Sequence, residues 1–283
     1  MKFNIFRNFA TLSIAAAALT FTACDNVDKD DRYIDMGEIT AERAVLLEDF
    51  TGQDCNNCPL AHEAIEGLEE QYGSDKVIAV SIHSGDMAIS TEDTSFDDGF
   101  VGLMTRQGQT IMTSYGIKSW PMGVINGGSP MEYPNWAAAV RAALEQPSDI
   151  KLDLTVSFDE TAAENGKINM QADIMSSTAR EVNLQFWITE NNIVAEQKLP
   201  NSSYDEEYVH NNVFRAAVYR QQKGESVSLD ADMTKTVTAD IDVRWSDTEH
   251  WVADNLFVIA IVSDSKGVQQ VTRVPVKPAP AEE

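Results

Sequence analysis

Cysteine is scarce in this 283-residue chain, which has only Cys24, Cys55 and Cys58. That excludes a small disulfide-stapled scaffold, and a chain this long can bury enough apolar surface to need no staples. Cations are also few: 21 Lys and Arg stand against 45 Asp and Glu, for a formal charge of −24. Such a surface repels phosphate backbones and anionic headgroups, which disfavours nucleic acid and polybasic membrane docking. Long apolar runs are missing too. The opening stretch FATLSIAAAALTF, Phe9 to Phe21, is too short for a stable membrane-spanning helix. No G-x-S-x-G elbow or HExxH pair occurs, so neither serine-hydrolase nor zinc-protease chemistry has support. No cofactor motif is present, and no cofactor is expected.

What is present starts at the N-terminus. Lys2 and Arg7 before the apolar stretch have the form of a secretory signal over residues 1–23. Phe21-Thr22-Ala23-Cys24 resembles a bacterial lipobox with Phe in place of the commoner Leu. The resemblance implies cleavage before Cys24, lipidation of its thiol and acyl anchoring to a membrane. An ordinary secretory signal is the other reading. Cleavage there removes Lys2 and Arg7 and no acid, taking the charge to about −26. Residues 24–40 are polar and acidic and read as a tether. Within them Lys29-Asp30-Asp31 resembles a short surface-export signal, although a solvated linker fits equally well.

Two domains are expected after the tether, an α/β domain over 41–148 and an all-β domain over 149–277, with an exposed tail at 278–283. In the first, AVLLEDFT and VIAVSIH (77–83) read as buried strands, and Pro59 to Tyr72 has helical apolar spacing. A helix is expected from about Phe100 to Ser114, a strand over Met122–Ile125, and a closing helix over Asn135–Gln146. Beyond Pro147 the apolar period becomes two: Ile150, Leu152, Leu154, Val156 and Phe158, then Ile168 to Ile174, then Val182 to Ile188. With the later run NLFVIAIVSD, this pattern predicts an immunoglobulin-like sandwich.

The stretch carrying chemistry is Gln53-Asp54-Cys55-Asn56-Asn57-Cys58-Pro59, placed between a strand and a helix. A lone C-x-x-C can be a redox pair, half of a metal site or a small staple. A staple would close only four residues, about 2 kcal/mol in the chain-entropy model. A metal site can be drawn from Cys55, Cys58, His62 and His83, but no second close ligand pair recurs, and no metal is expected. His62 then reads as a helix-surface residue, while His210 and His250 have no visible partners. In the redox reading, Cys55 at a helix start attacks and Cys58 resolves.

Tyr115-Gly116-Ile117-Lys118-Ser119-Trp120-Pro121-Met122-Gly123-Val124-Ile125-Asn126-Gly127 resembles the cis-proline stretch of thioredoxins. Asp49, six residues before Cys55, is similar to the buried proton-relaying acid of that family. The resemblance implies a thioredoxin-like fold over roughly 41–146, a cis Pro121, and a peptide groove shaped by Trp120 and Pro121. Glu48 and Asp49 face opposite sides of their strand, and either could instead be solvated. Departures are the missing aromatic before Cys55, where Asp54 stands, and a long connection from His83 to Pro121 expected to cover part of the site. Asp54, Glu48 and Asp49 oppose a thiolate, so Cys55 is expected to be less acidic, and the disulfide more reducing, than in strongly oxidising relatives. Over nearly all of its mature length the chain resembles the outer membrane protein 28 family of lipoproteins. Two functions remain open: a thiol–disulfide oxidoreductase acting on protein thiols or disulfides, and a non-catalytic lipoprotein that binds an unidentified protein partner.

Overall fold

The computed structural model describes residues 43–277. The expected signal (1–23), Cys24, the tether (24–40) and the tail (278–283) lie outside them. The described chain is mostly β-sheet with a few helices.

Strand β1 (Val45–Thr51) leads through the cysteine turn into helix α1 (Cys58–Tyr72), then strand β2 (Val77–His83). Helix α2 (Arg106–Tyr115), strand β3 (Met122–Ile125) and helix α3 (Trp136–Leu144) follow. β1 runs parallel to β2 and antiparallel to β3. Both faces of these strands are covered, which is why they read as unbroken apolar runs. Val45 and Leu47 pack with Ile65 and Leu68 of α1 and Trp136 and Val140 of α3. Leu46 and Phe50 face the other way, toward Ile111 and Met112 of α2. Gly123 is needed at β3 because Trp136 lies directly over it, where a Cβ would fall 2.3 Å from the indole.

The second helix is shorter than its sequence pattern. Residues 100–104 spend their backbone donors on the segment after β2, Leu103 and Met104 both donating to the Ile89 carbonyl at 3.0 and 2.8 Å. Thr105 then caps the helix by accepting from the Gly108 amide, and the left-handed Gly116 ends it.

The period-two region forms β4 (Ile150–Asp159), β5 (Lys167–Ser176) and β6 (Arg180–Glu190). Short strands β7 (Ile193–Val194), β8 (Gln197–Lys198), β9 (Tyr204–Asp205) and β10 (Val209–His210) follow. The chain continues through β11 (Val213–Ala217), β12 (Glu225–Leu229) and β13 (Thr234–Asp242) to β14 (Leu256–Asp264) and β15 (Gly267–Pro275). β13, β5 and β4 make a three-stranded sheet. Its inner residues Ile168, Met170, Ala172 and Ile174 pack on Leu184, Phe186, Val258 and Ala260 of β6 and β14.

The larger sheet does not stop at residue 148. Its order is β15-β14-β6-β11-β2-β1-β3, with β12 also on β6. The seam is a single parallel bridge between Val213 and Ser81, where the Ser81 amide donates to the Asn212 carbonyl at 2.8 Å. Strands from either side of the expected 148/149 boundary therefore share one hydrogen-bonded sheet, and the described residues fall in one compact unit. Among the described residues no helix is long and apolar enough to cross a membrane.

Candidate functional site

The cysteine turn follows from local geometry. The Cys55 amide donates back to Gly52 O at 3.1 Å and the Cys58 amide to Cys55 O at 3.3 Å, folding the four residues onto themselves. Their Cα atoms are 5.4 Å apart and the sulfurs are joined as a disulfide. Cys58 opens α1 with Pro59 beside it, where a missing N–H costs nothing. With both sulfurs in the disulfide, the metal site drawn from the sequence does not assemble. Among the described residues no group of three or more His, Cys, Asp or Glu could hold a metal ion.

The alternation of β1 places Asp49 on the α1 face and Glu48 on the α2 face. Neither is solvated: they are 0% and 2% exposed. Glu48 accepts a hydrogen bond from the Tyr115 hydroxyl of α2 at 3.0 Å. Asp49 Oδ2 lies 3.6 Å from His62 Nε2, one helical turn beyond Cys58. Cys58 and His62 share a helix face, so Asp49 sits under the face that carries Cys58. The Trp120–Pro121 peptide bond is cis. Met122 pairs with Phe50, so Pro121 comes level with Thr51 at the end of β1 where the cysteine turn departs. The Trp120 ring lies against Gly85, in the turn after β2.

The connection after β2 covers the cysteine turn, as its length implies. Asp54 N donates to Met87 O at 2.8 Å, and the buried Gln53 side chain donates to Val101 O at 2.8 Å and accepts from Leu103 N at 3.2 Å. A second cover comes from the β-rich half and carries no apolar signature that would announce it. The β8–β9 hairpin reaches back across the turn. Lys198 N donates to Gln53 O at 2.7 Å, Gln197 Nε2 to Cys55 O at 3.0 Å, and the Tyr204 hydroxyl to Asp54 Oδ1 at 2.7 Å. Cys55 is left 4% exposed and Cys58 0%.

Three histidines meet beneath this cover: His62 and His83, which the sequence could draw together, and His210, which it left without a partner. His62 is packed rather than lying on the helix surface, its side chain 14% exposed. Its Nε2 is 3.0 Å from Thr51 Oγ1 and its Nδ1 2.9 Å from the Tyr208 hydroxyl. His210 of β10 packs edge-on against His83 at the end of β2, ring centroids 5.1 Å apart, and against Tyr208 at 4.8 Å. A histidine just after a long polar stretch is the only sequence signal for His210, and it names no partner.

Burial sets the protonation of these groups. Desolvation pushes Asp49 up to about 8, with the Ser81 hydroxyl pulling back, and Glu48 up to about 8, with Tyr115 pulling back. Neither Asp49 oxygen closes a hydrogen bond of full geometry among the described residues. Desolvation pushes His62 down to about 4 and, with the His62 ring beside it, His210 down to about 3. His83 is held well below its ordinary value by burial and then by His210 and His62. At neutral pH the cluster is uncharged. Glu48 and Asp49 are therefore not the anions that the charge argument against a Cys55 thiolate assumed.

A pH profile of stability follows. Unfolded carboxyls ionise near pH 4 while the folded ones hold their protons to about 8, so these two lose stability as pH rises through that window. Unfolded imidazoles charge below about 6.5 while the folded ones stay neutral, so these three lose stability as pH falls. The trends oppose between about pH 4 and 6.5 and act alone outside it. Denaturant unfolding from pH 3 to 9 is expected to show stability rising there by up to about 1.4 kcal/mol per pH unit, because three imidazoles act against two carboxyls. An alkaline limb of up to about 1.4 kcal/mol per pH unit for each carboxyl should follow to pH 8. Glu48→Gln with Asp49→Asn should flatten that limb; stability that climbs from pH 6.5 to 8 would contradict these protonation states.

Residues 108–279 match the family of outer membrane protein Omp28. The chain belongs to the Omp28 family. The Omp28 match includes Trp120, Pro121 and the covering hairpin, and it begins after Asp49, Cys55 and Cys58. Among solved structures, HBP35 of Porphyromonas gingivalis is similar over 87% of this chain and 80% of that one, at 15% identity and a TM-score of 0.60. That is a likeness of fold. A domain of the outer membrane lipoprotein Omp28 from Porphyromonas gingivalis matches 46% of this chain and 90% of its own, at 17% identity and a TM-score of 0.30. No curated protein matches this Omp28-family chain.

Proposed function

We propose that this Omp28-family protein is an envelope lipoprotein, anchored through Cys24, that exchanges thiols and disulfides with partner proteins at Cys55–Cys58. The proposal joins a thioredoxin-like unit (41–148) to an immunoglobulin-like sandwich (149–277) along the shared sheet. One observation carries it: a fully buried carboxyl, Asp49, lies under the helix face bearing Cys58 and keeps its proton at neutral pH. A partner thiolate attacks Cys55 Sγ, the Cys55–Cys58 bond breaks, and Cys58 takes the electron pair together with the Asp49 proton. A second partner thiol then resolves the mixed disulfide, leaving the protein reduced and the partner oxidised. The reverse sequence oxidises the protein. Trp120 and Pro121, at the end of β1 beside the turn, form the wall against which a peptide would lie.

The exposure of the cysteines supports a second reading. With Cys55 4% and Cys58 0% exposed beneath two covers, the pair would also serve as an inert bridge in a binding lipoprotein. The reduction potential decides between them. Equilibration in glutathione buffers, read by alkylation mass shifts, is expected to give a value between about −120 and −270 mV. A value below about −300 mV, or a pair that reductant cannot reach, favours the binding protein.

A further inference from the structure

A buried acid that gives up a proton in each exchange must recover it from solvent, and Asp49 is 0% exposed. Around it, His83 and His210 are each 2% exposed, and their rings lie against backbone groups of Ser81 and of Ala195 and Glu196, which relay no proton. They lead nowhere. His62 differs: its Nε2 is 3.6 Å from Asp49 Oδ2, and its Nδ1 is 2.9 Å from the hydroxyl of the half-buried Tyr208. Thr51, two residues after Asp49 on the same strand face, holds the Nε2 side at 3.0 Å.

We propose that His62 and Tyr208 are the path by which Asp49 exchanges its proton with solvent during thiol–disulfide exchange. The inference rests on the exchange reading above. When Cys58 leaves with the Asp49 proton, the Asp49 carboxylate takes a proton from His62 Nε2. His62 Nδ1 accepts the Tyr208 hydroxyl proton, and water reprotonates the phenol oxygen, so the imidazole ends as the other tautomer with no net charge. The 3.6 Å gap is longer than a hydrogen bond, and such contacts commonly tighten only when charge develops. A neutral imidazole suits this task because it donates at one nitrogen while accepting at the other. The titratable groups around the pair are Asp49 of β1, Glu63 and Glu66 of α1, His83 of β2, Asp205 of β9 and His210 of β10. His62 acts through Asp49 and is a positioning residue, not a catalytic one.

The test is reduction of the full-length protein by dithiothreitol at pH 7 and constant ionic strength, with buffer concentration varied. The wild-type rate is expected to be independent of buffer. Asp49→Asn should be slow and insensitive to buffer. His62→Ala should be about tenfold slower or more, and free imidazole, which fits the space left, should restore the rate in proportion to its concentration. Tyr208→Phe removes one hydroxyl, keeps the ring packing, and should slow reduction in the same buffer-dependent way even if His62→Ala does not fold. A His62→Ala or Tyr208→Phe protein reduced at the wild-type rate, or slowed but indifferent to imidazole, overturns the path while leaving exchange intact. A wild-type disulfide that dithiothreitol cannot reduce overturns both readings.

Discussion

Cys58→Ala is expected to stop turnover and leave Cys55 caught in a mixed disulfide with its partner. The reason is proximity. In the folded protein the resolving sulfur is held three residues away in a turn whose Cα atoms are 5.4 Å apart. Well-oriented intramolecular groups act at effective concentrations on the order of 10⁵ M or more. Free thiols at millimolar levels cannot match that, so the mixed disulfide should persist longer by several orders of magnitude. Non-reducing electrophoresis and mass spectrometry of the Cys58→Ala protein from whole envelopes would show the adduct, and Cys55→Ala would show none. Loosening the cover sharpens the test. Tyr204→Phe removes the bond to Asp54 and should raise both the yield of adduct and the reduction rate. If Cys58→Ala collects no adduct even with Tyr204→Phe, the cysteines are a structural bridge.

Arg215→Ala is expected to cost about 3–5 kcal/mol of stability, as removal of one partner from a buried ion pair usually does. Arg215 lies in β11 where the pairing with β6 slips between Phe214 and Ala216. It is 4% exposed, with its Nε 3.2 Å from Glu190 Oε2, and Glu190 is 2% exposed. Its guanidinium also lies over the Trp251 ring, 5.9 Å from the centroid. Truncation leaves the Glu190 carboxylate buried with the Val252 amide, at 2.8 Å, as its hydrogen-bond partner among the described residues. Since β11 is the strand that joins β2 to β6, the loss should appear in unfolding of the whole sheet and not only one end. Arg215→Met with Glu190→Gln removes both charges and keeps an acceptor for Val252, so it should cost much less than Arg215→Ala alone. Urea titrations of the three proteins measure this. An Arg215→Ala protein within about 1 kcal/mol of wild type would mean the pair is solvated or dispensable.

Much of the strand framework was legible because one face or both faces of each strand are buried. The period-two apolar positions from Ile150 to Ile188 place β4, β5 and β6 nearly to the residue, and VIAVSIH corresponds to β2. The start of α2 was misjudged. Apolar residues at 100–104 mimic a helix, yet the Leu103 and Met104 amides are taken by Ile89, and Gly102 packs so closely on Ser90 that a Cβ would meet its carbonyl at 1.9 Å. The four two-residue strands from Ile193 to His210 were invisible. β8 and β9 are polar and ordered by bonds to the cysteine turn, while β7 and β10 pair with each other over two residues, too few to show an apolar period.

The sequence by itself determined the order strand, C-x-x-C, helix. It also put Asp49 and Glu48 on opposite faces of one strand, and marked the switch of apolar period near residue 148. Each of these depends on neighbours a few residues away, and local backbone geometry transmits it faithfully. Tertiary structure alone decided that one sheet runs through both halves, that a hairpin about 140 residues downstream closes over Cys55, and that His62, His83, His210 and Tyr208 meet beside Asp49. It also decided that the two carboxyls are neutral at pH 7. Protonation depends on how far water is excluded, and here the elements excluding it come from α1, α2 and a segment more than a hundred residues away. No spacing within the chain encodes that exclusion.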